Sequence, residues 1–89
     1  MSQILFTRVD VDESQKLARE FNTKQNMCHY NTWMINLVYP NLKRFTGYVL
    51  REKYVTVHSW LVKNNLVIDP TLILCKKIGE QYLGEENNG

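Results

Sequence analysis

Three residues of the chain have the types and the order that nucleophilic catalysis requires: Cys28, His58 and Asp69. Cys28 falls at the predicted start of a helix, where unpaired backbone N–H groups and the positive end of the helix dipole favour a thiolate. A histidine can hold that thiolate as an ion pair and then donate a proton to a leaving group. A carboxylate behind the histidine orients the ring and fixes its tautomer. The set predicts acyl transfer through a thiol.

The spacing between His58 and Asp69 supports this interpretation. The dipeptide Asn64-Asn65 between them predicts a two-residue turn, because asparagine tolerates the left-handed conformation. Such a turn would place Trp60 opposite Asp69 on paired antiparallel strands. His58 is two positions from Trp60 and projects from the same face of its strand. The side chains of His58 and Asp69 would then be diagonal neighbours, with Cα atoms about 7–8 Å apart.

The elements that would position these residues follow from the hydrophobic pattern. In chain order they are an extended or strand-forming run over 4–9, helices over 13–21 and 26–39, strands over 45–51, 54–62 and 66–68, and a final helix over 72–82. Consecutive strands joined by short turns pair antiparallel. The predicted fold class is therefore α+β, with the cysteine-bearing helix packed on a small antiparallel sheet.

Apolar residues at helical spacing predict which helix faces are buried. In the second helix this stripe consists of Met27, Tyr30, Met34, Leu37 and Val38. In the final helix, Cys75 lies among apolar neighbours and is expected to fill the core. The adjacent Lys76-Lys77 is expected to form a solvated surface.

Length and composition exclude several classes of protein. A chain of 89 residues forms one domain, expected over 1–84, with a frayed tail at 85–89. The net charge of +2 and the scattered basic residues argue against a nucleic-acid partner. No apolar run approaches the ~20 residues of a membrane span, and no leader pattern is present, so a cytoplasmic location is expected. Two cysteines without paired ligands predict neither a metal site nor another cofactor.

Two segments carry a resemblance to a known superfamily. His58-Ser59-Trp60-Leu61-Val62, followed by Val67-Ile68-Asp69-Pro70-Thr71, closely resembles the second half of the transglutaminase-like branch of the papain-like cysteine enzymes. Cys28-His29-Tyr30-Asn31 is similar to the cysteine-led helix of small members of that branch. The resemblance covers about residues 26–71. It implies a minimal papain-like core with Cys28, His58 and Asp69 as a catalytic triad.

The resemblance also suggests residues that would support the triad. The backbone N–H of Cys28 would be the first oxyanion donor, and Gln25 or Asn26 is a candidate for the second. Asn31 lies on the same helical face as Cys28, so it has either a polar role in the site or a solvent-facing position. Trp60 is expected in the core or in the pocket wall. The chain departs from the family pattern in lacking a glycine before Cys28 and in its interval of only 30 residues from cysteine to histidine.

Two functions are compatible with the sequence. The first is a cysteine-dependent hydrolase or acyltransferase acting on an amide or acyl bond, of protease, amidase, deamidase or transglutaminase type. Hydrolysis is favoured because no large acceptor-binding lobe fits in 89 residues. The alternative is a non-catalytic binding or inhibitory module, such as a phage-encoded protein, that retains the fold and blocks a larger partner. A protein or peptide is the expected substrate or partner in both cases.

Overall fold

The computed structural model of the chain describes residues 2–75 and 78–87. The elements are β1 (Ile4–Phe6), α1 (Val11–Phe21), α2 (Cys28–Val38), β2 (Lys43–Arg51), β3 (Tyr54–Lys63), β4 (Leu66–Ile68), a single turn of 3-10 helix (Leu72–Cys75) and β5 (Gln81–Glu86). The five strands form one antiparallel sheet in the order β1-β5-β2-β3-β4. The predicted α+β class is confirmed.

Hydrophobic side chains pack on both faces of the sheet, because successive residues of a strand point to opposite sides. One face carries a cluster of Phe6, Phe45, Val49, Trp60, Val62, Val67, Leu72 and Tyr82. On the other face, α1 and α2 contribute to a cluster of Leu17, Ile35, Leu42, Leu61 and Ile68. β3 therefore lies in the centre of the core, and its Trp60 and Leu61 are both fully buried.

The turn between β3 and β4 has the predicted geometry. Asn64 and Asn65 both adopt left-handed backbone conformations, with φ of 54° and 62°. Lys63 pairs with Leu66, and the ladder continues to the pair of Leu61 with Ile68. The pairing predicted from the Asn64-Asn65 dipeptide is confirmed, and it fixes which residues of the two strands share a face.

The side of β3 that faces away from β2 is paired with another strand over only part of its length. β4 is three residues long and pairs with β3 only over 61–63. In the described part of the chain, no other strand pairs with this side of β3. The residues near its start are exposed, with Tyr54 at 70%, Val55 at 64% and Val57 at 64%. We call the backbone of residues 54–57 on this side the free edge of β3.

The C-terminal segment differs from the predicted helix over 72–82. The helical spacing of its apolar residues continues for only one 3-10 turn, and Gln81–Glu86 forms β5 between β1 and β2. Glu85 and Glu86, expected in a frayed tail, pair with Thr46 and Phe45. Lys76, Lys77, Asn88 and Gly89 lie outside the described residues. Pairing with strands distant in sequence outweighs the weak local helical pattern.

Two predictions of burial are also wrong. Cys75 is exposed at the end of the 3-10 turn and does not fill the core. In α2 the buried residues are Asn31, Thr32 and Ile35. The predicted apolar stripe instead faces largely outward, and with Trp33 it leaves exposed Met27, Tyr30, Trp33, Leu37 and Val38. We call these five residues the α2 stripe. None of the described helices is long and apolar enough to cross a membrane.

Candidate active site

Cys28 is the first residue of α2 and is half-buried. The residue before it, Met27, offers no side-chain hydrogen bond to the helix, so the first N–H groups of α2 are not capped by that residue. The turn is held from within, because Thr32 Oγ1 donates to the backbone oxygen of Cys28 at 2.8 Å. The thiol therefore lies at the positive end of the helix, as predicted.

His58 and Asp69 lie side by side in the interior. His58 Nε2 is 3.1 Å from Asp69 Oδ1 and 3.0 Å from Oδ2, and only 5% of His58 and none of Asp69 is exposed. The side chain of His58 also hydrogen-bonds the Cys28 thiol. Since Asp69 occupies Nε2, Nδ1 is the ring nitrogen left for the sulfur. The three residues thus form a continuous chain from thiol to imidazole to carboxylate.

Asp69 accepts further hydrogen bonds that hold it in place. Its Oδ1 accepts from the backbone N–H of Leu72 at 2.9 Å and of Thr71 at 3.3 Å. Its Oδ2 accepts from the Tyr82 hydroxyl at 2.7 Å. Its own backbone N–H donates to Ser14 Oγ at 2.9 Å. These donors hold the buried carboxylate of Asp69 in the position in which it contacts His58 Nε2.

Tyr82 is a site residue that the sequence analysis missed. It lies on β5, is fully buried, and its oxygen also accepts from the backbone N–H of Gly79 at 2.9 Å. Burial and the negative charge of Asp69 raise the pKa of the Tyr82 phenol far above its ordinary range, so it stays a donor. Burial alternates along β5, but Tyr82 and Leu83 are adjacent apolar residues, so the sequence carries no alternating signal that would have predicted an inward-facing Tyr82.

The electrostatics favour a thiolate–imidazolium pair. Burial raises the pKa of the Cys28 thiol, but the hydrogen bond and charge of His58, with backbone N–H groups of Ser59 and His29, outweigh burial and lower it. Burial likewise acts to lower the pKa of His58, but hydrogen bonds and charges from Asp69 and Cys28 raise it to about 9. Both shifts favour the thiolate form of Cys28 and the protonated form of His58.

The strand pairing explains why a backbone N–H of β3 is directed at the sulfur. Lys63 and Leu66 flank a two-residue turn and are the hydrogen-bonded pair nearest to it, so alternate residues of β3 direct their N–H and C=O groups toward β4. Leu61 does so opposite Ile68. Ser59 is the next such residue, and it lies beyond the end of β4.

The segment after β4 leaves the N–H of Ser59 without a strand partner. Pro70 has no N–H, and its C=O accepts from Thr23 Oγ1 at 2.7 Å instead of pairing with β3. The N–H of Ser59 is thus left for the Cys28 sulfur, which it hydrogen-bonds. The N-terminus of α2 takes the place that an additional residue pair of β4 would occupy.

The four predicted supporting residues have different positions. Trp60 is fully buried, and its ring stacks on the His58 imidazole with centroids 6.3 Å apart. Asn31 is also buried, so the solvent-facing alternative is wrong. Its side chain donates to Thr71 Oγ1 at 2.8 Å and bonds the backbone of Lys24. Asn31 therefore ties the start of α2 to the segment that carries Asp69.

Gln25 and Asn26, the candidates for a second oxyanion donor, are exposed. Asn26 has a left-handed backbone with φ of 62°, which turns the chain just before α2. The groups that surround the sulfur belong to His58, Ser59 and His29.

Glycines lie beside His58 on the two neighbouring strands. Gly47 of β2 pairs with His58, and Gly84 of β5 pairs with Gly47. A Cβ on Gly84 would lie 2.7 Å from the Trp60 ring and 2.5 Å from the backbone oxygen of Thr46. A Cβ on Gly47 would lie 2.1 Å from the backbone oxygen of Leu83. The row therefore needs residues without side chains, and this lets the sheet curve closely around the site.

Comparison of the chain with protein-family models, with curated proteins and with solved structures found no match in any of the three. Within residues 2–75 and 78–87, no group of three or more His, Cys, Asp or Glu side chains is arranged to hold a metal ion. The chemistry of the site therefore has to be argued from its own geometry.

Proposed function

We propose that the protein is a cysteine-dependent hydrolase or acyltransferase that acts on an amide or related acyl bond. The observation that carries the proposal is the chain of contacts from Cys28 through His58 to Asp69, on elements in which each residue has a structural reason for its position. The resemblance of the His58-to-Thr71 segment to transglutaminase-like enzymes points to the same chemistry and to a minimal papain-like core.

In the proposed reaction the Cys28 thiolate attacks the acyl carbon and forms a carbon–sulfur bond. The carbonyl π electrons move to the oxygen. Collapse of this tetrahedral intermediate expels the amine, which takes the proton from His58. In the second half, His58 removes a proton from water or from an acceptor amine, which attacks the thioester and releases Cys28. Asp69 keeps the imidazole oriented through both steps.

The surroundings of the thiol favour a macromolecular substrate. The α2 stripe begins at Met27, directly before Cys28, and its five apolar residues are 44–61% exposed. The ring centroids of Tyr30 and Trp33 lie 6.2 Å apart within this stripe. Exposed contiguous apolar surface of this kind is typical of a protein-binding site. We propose a protein or peptide substrate, with water favoured as the acceptor because of the size of the chain.

A second candidate function is supported by a different surface. Leu5, Leu83, Tyr48 and Val57 are paired in turn across β1, β5, β2 and β3, and all four are 39–64% exposed. This apolar row crosses four neighbouring strands of the sheet, and its side chains are open to contact with a partner. A non-catalytic module that blocks a larger protein would use such a surface, and its effect would not need the thiol.

Acylation of Cys28 tests the proposed enzyme. Because Cys75 is exposed, the test uses a Cys75→Ser background in which Cys28 is the single thiol. The protein is incubated with an activated p-nitrophenyl ester and followed by intact mass spectrometry. We expect one acyl group on Cys28, its loss with time in water, and its transfer when a primary amine is added.

His58→Ala is the matched control for this experiment. It leaves the thiol in place but removes the group that ionises it, so acylation at pH 7 should be at least about tenfold slower. Equal acylation of the parent and His58→Ala proteins would show that Cys28 reacts as an ordinary thiol, and the enzyme would be excluded. The binding module would then be tested by substituting Tyr48 and Leu83 on the apolar row.

A further inference from the structure

A closed ring of hydrogen bonds surrounds the Cys28 sulfur and includes the side chains of two neighbouring residues. His29 Nδ1, on the first turn of α2, is hydrogen-bonded to Ser59 Oγ on β3. The backbone N–H groups of the same two residues are those directed at the sulfur. The ring therefore runs from the sulfur to the N–H of Ser59, through the two side chains, and back through the N–H of His29.

Both sides of this ring are anchored. Ser59 is fully buried, and its Oγ lies 3.1 Å from Oγ1 of Thr46, the residue opposite it on β2. On the helix side, Thr32 Oγ1 lies 2.8 Å from the C=O of Cys28 and 3.2 Å from that of His29, and donates to them. The contact of His29 with Ser59 is thus a second side-chain link, beside that of Cys28 with His58, between the turn that bears the thiol and β3.

We propose that His29 and Ser59 form a clamp that holds both backbone donors at the Cys28 sulfur, which makes His29 a positioning residue for the nucleophile. The inference deepens the proposed function, since it takes Cys28 as the nucleophile of that site. The proposed reaction uses His58 as the general base and gives no role to His29, and the clamp supplies one.

The hydroxyl groups allow the clamp to form with either tautomer of the His29 ring. An unprotonated Nδ1 accepts from the Ser59 hydroxyl, whose oxygen then accepts from Thr46. A protonated Nδ1 donates to Ser59 Oγ, and the Ser59 hydroxyl then donates to Thr46 Oγ1. The titratable group that faces the Cys28 thiol is His58, with Asp69 behind it, and the side chain of His29 is turned to Ser59.

The test measures the rate of Cys28 alkylation by iodoacetamide against pH, in the Cys75→Ser background. His29→Ala removes the link from an exposed position, so the fold should be retained. The midpoint of the profile should move upward by about one pH unit, because the N–H groups that stabilise the thiolate are no longer held. Gln15→Ala, at an exposed position of α1, is the control and should leave the midpoint unchanged.

Two further variants separate a clamp from a general effect on the helix. His29→Asn retains a polar atom close to the position of Nδ1, so the midpoint of this variant should lie close to that of the parent protein. Ser59→Ala removes the other half of the link, and His29→Ala added to it should produce no further shift, because both changes break one interaction. Circular dichroism of each variant checks that the protein is folded.

An unchanged midpoint in folded His29→Ala would overturn the clamp, and so would additive shifts in the double variant. Neither result depends on turnover. A parent protein with a low midpoint that shifts in His29→Ala but forms no acyl-enzyme would retain the clamp and lose the proposed function. If the parent protein forms the acyl-enzyme but its midpoint does not respond to His29→Ala, the proposed function is retained and the clamp is rejected.

Discussion

Asp69 is the residue on which the interior of the site depends most. It is fully buried and is the common partner of His58, Tyr82 and the first N–H groups of the 3-10 turn. A buried carboxylate loses its hydration, so every donor that the protein supplies has to replace a lost water contact. Tyr82 is the side-chain donor that belongs neither to the triad nor to the Asp-Pro-Thr segment, and its removal tests that dependence.

Tyr82→Phe should destabilise the protein by about 1–3 kcal/mol, because it removes one of the two donors to the buried Asp69 Oδ2 and leaves the Gly79 N–H without its Tyr82 acceptor. The substitution leaves both contacts of His58 Nε2 with the Asp69 carboxylate in place. The alkylation midpoint of Cys28 should therefore not rise. Urea unfolding and the alkylation profile measure the two effects, with Tyr48→Phe as an exposed control. An unchanged stability would show that the Tyr82 bond is not formed.

At the scale of elements, the turn between β3 and β4 determines whether the site is assembled. A shift of the register by one residue would move His58 and Asp69 to opposite faces of the sheet. Asn64 and Asn65 prevent this shift by adopting backbone conformations that most residues avoid, with φ of 54° and 62°. The two-residue connection is the reason that the pairing could be worked out from sequence.

Asn65→Gly should stabilise the protein by a few tenths of a kcal/mol or more, because glycine adopts the left-handed conformation most readily and Asn-Gly is the favoured pair for this turn. Asn65→Ala should destabilise it by about 1 kcal/mol or more, because a Cβ without a compensating side-chain bond is strained there. Urea midpoints at constant slope measure both. The opposite order of the two variants would contradict the turn geometry.

The sequence predicted the elements that are specified by residues close together in the chain. It did not predict the elements that depend on pairing with distant strands. The turn at Asn64-Asn65, the helix that begins near Cys28 and the strands of the central hairpin have signals within a few residues. β5 does not, because its pairing with β2 joins residues more than thirty positions apart. The buried face of α2 was also predicted wrongly, since Asn31 and Thr32 face inward to bond the loop and turn around the site.

For the whole molecule, the thiolate–imidazolium pair links stability to pH. The pKa of His58 is raised from an unfolded value near 6.5 to about 9, so its contribution is complete below about 6.5 and is lost as pH rises through about 9. The pKa of Cys28 is lowered, so its contribution is present above its unfolded value of about 8.5 and is lost as pH falls. In the window between 6.5 and 8.5 the two contributions change in opposite directions.

The parent protein should therefore show a shallow dependence of stability on pH in that window. Cys28→Ala removes the contribution that rises, while Asp69 still raises the pKa of His58, so the stability of this variant should decline as pH increases above about 6.5. Urea midpoints at pH 6, 7, 8 and 9 measure the two profiles. Adding Asp69→Asn to Cys28→Ala should flatten the decline. Parallel profiles of the parent and Cys28→Ala would contradict an ion pair.

The free edge of β3 has a consequence for the behaviour of the protein at high concentration. Exposed strand edges without lysine, proline or a bulge are templates for pairing between copies and for aggregation. Residues 54–57 contain none of these protective features, and the side chains of Val55 and Val57 are mostly exposed. Val55→Lys should therefore delay the onset of light scattering in concentrated solution, whereas Leu37→Lys, on the exposed surface of α2, should do so less. The edge of β3 that ends at Cys28 would thus be the surface through which copies of the protein first associate.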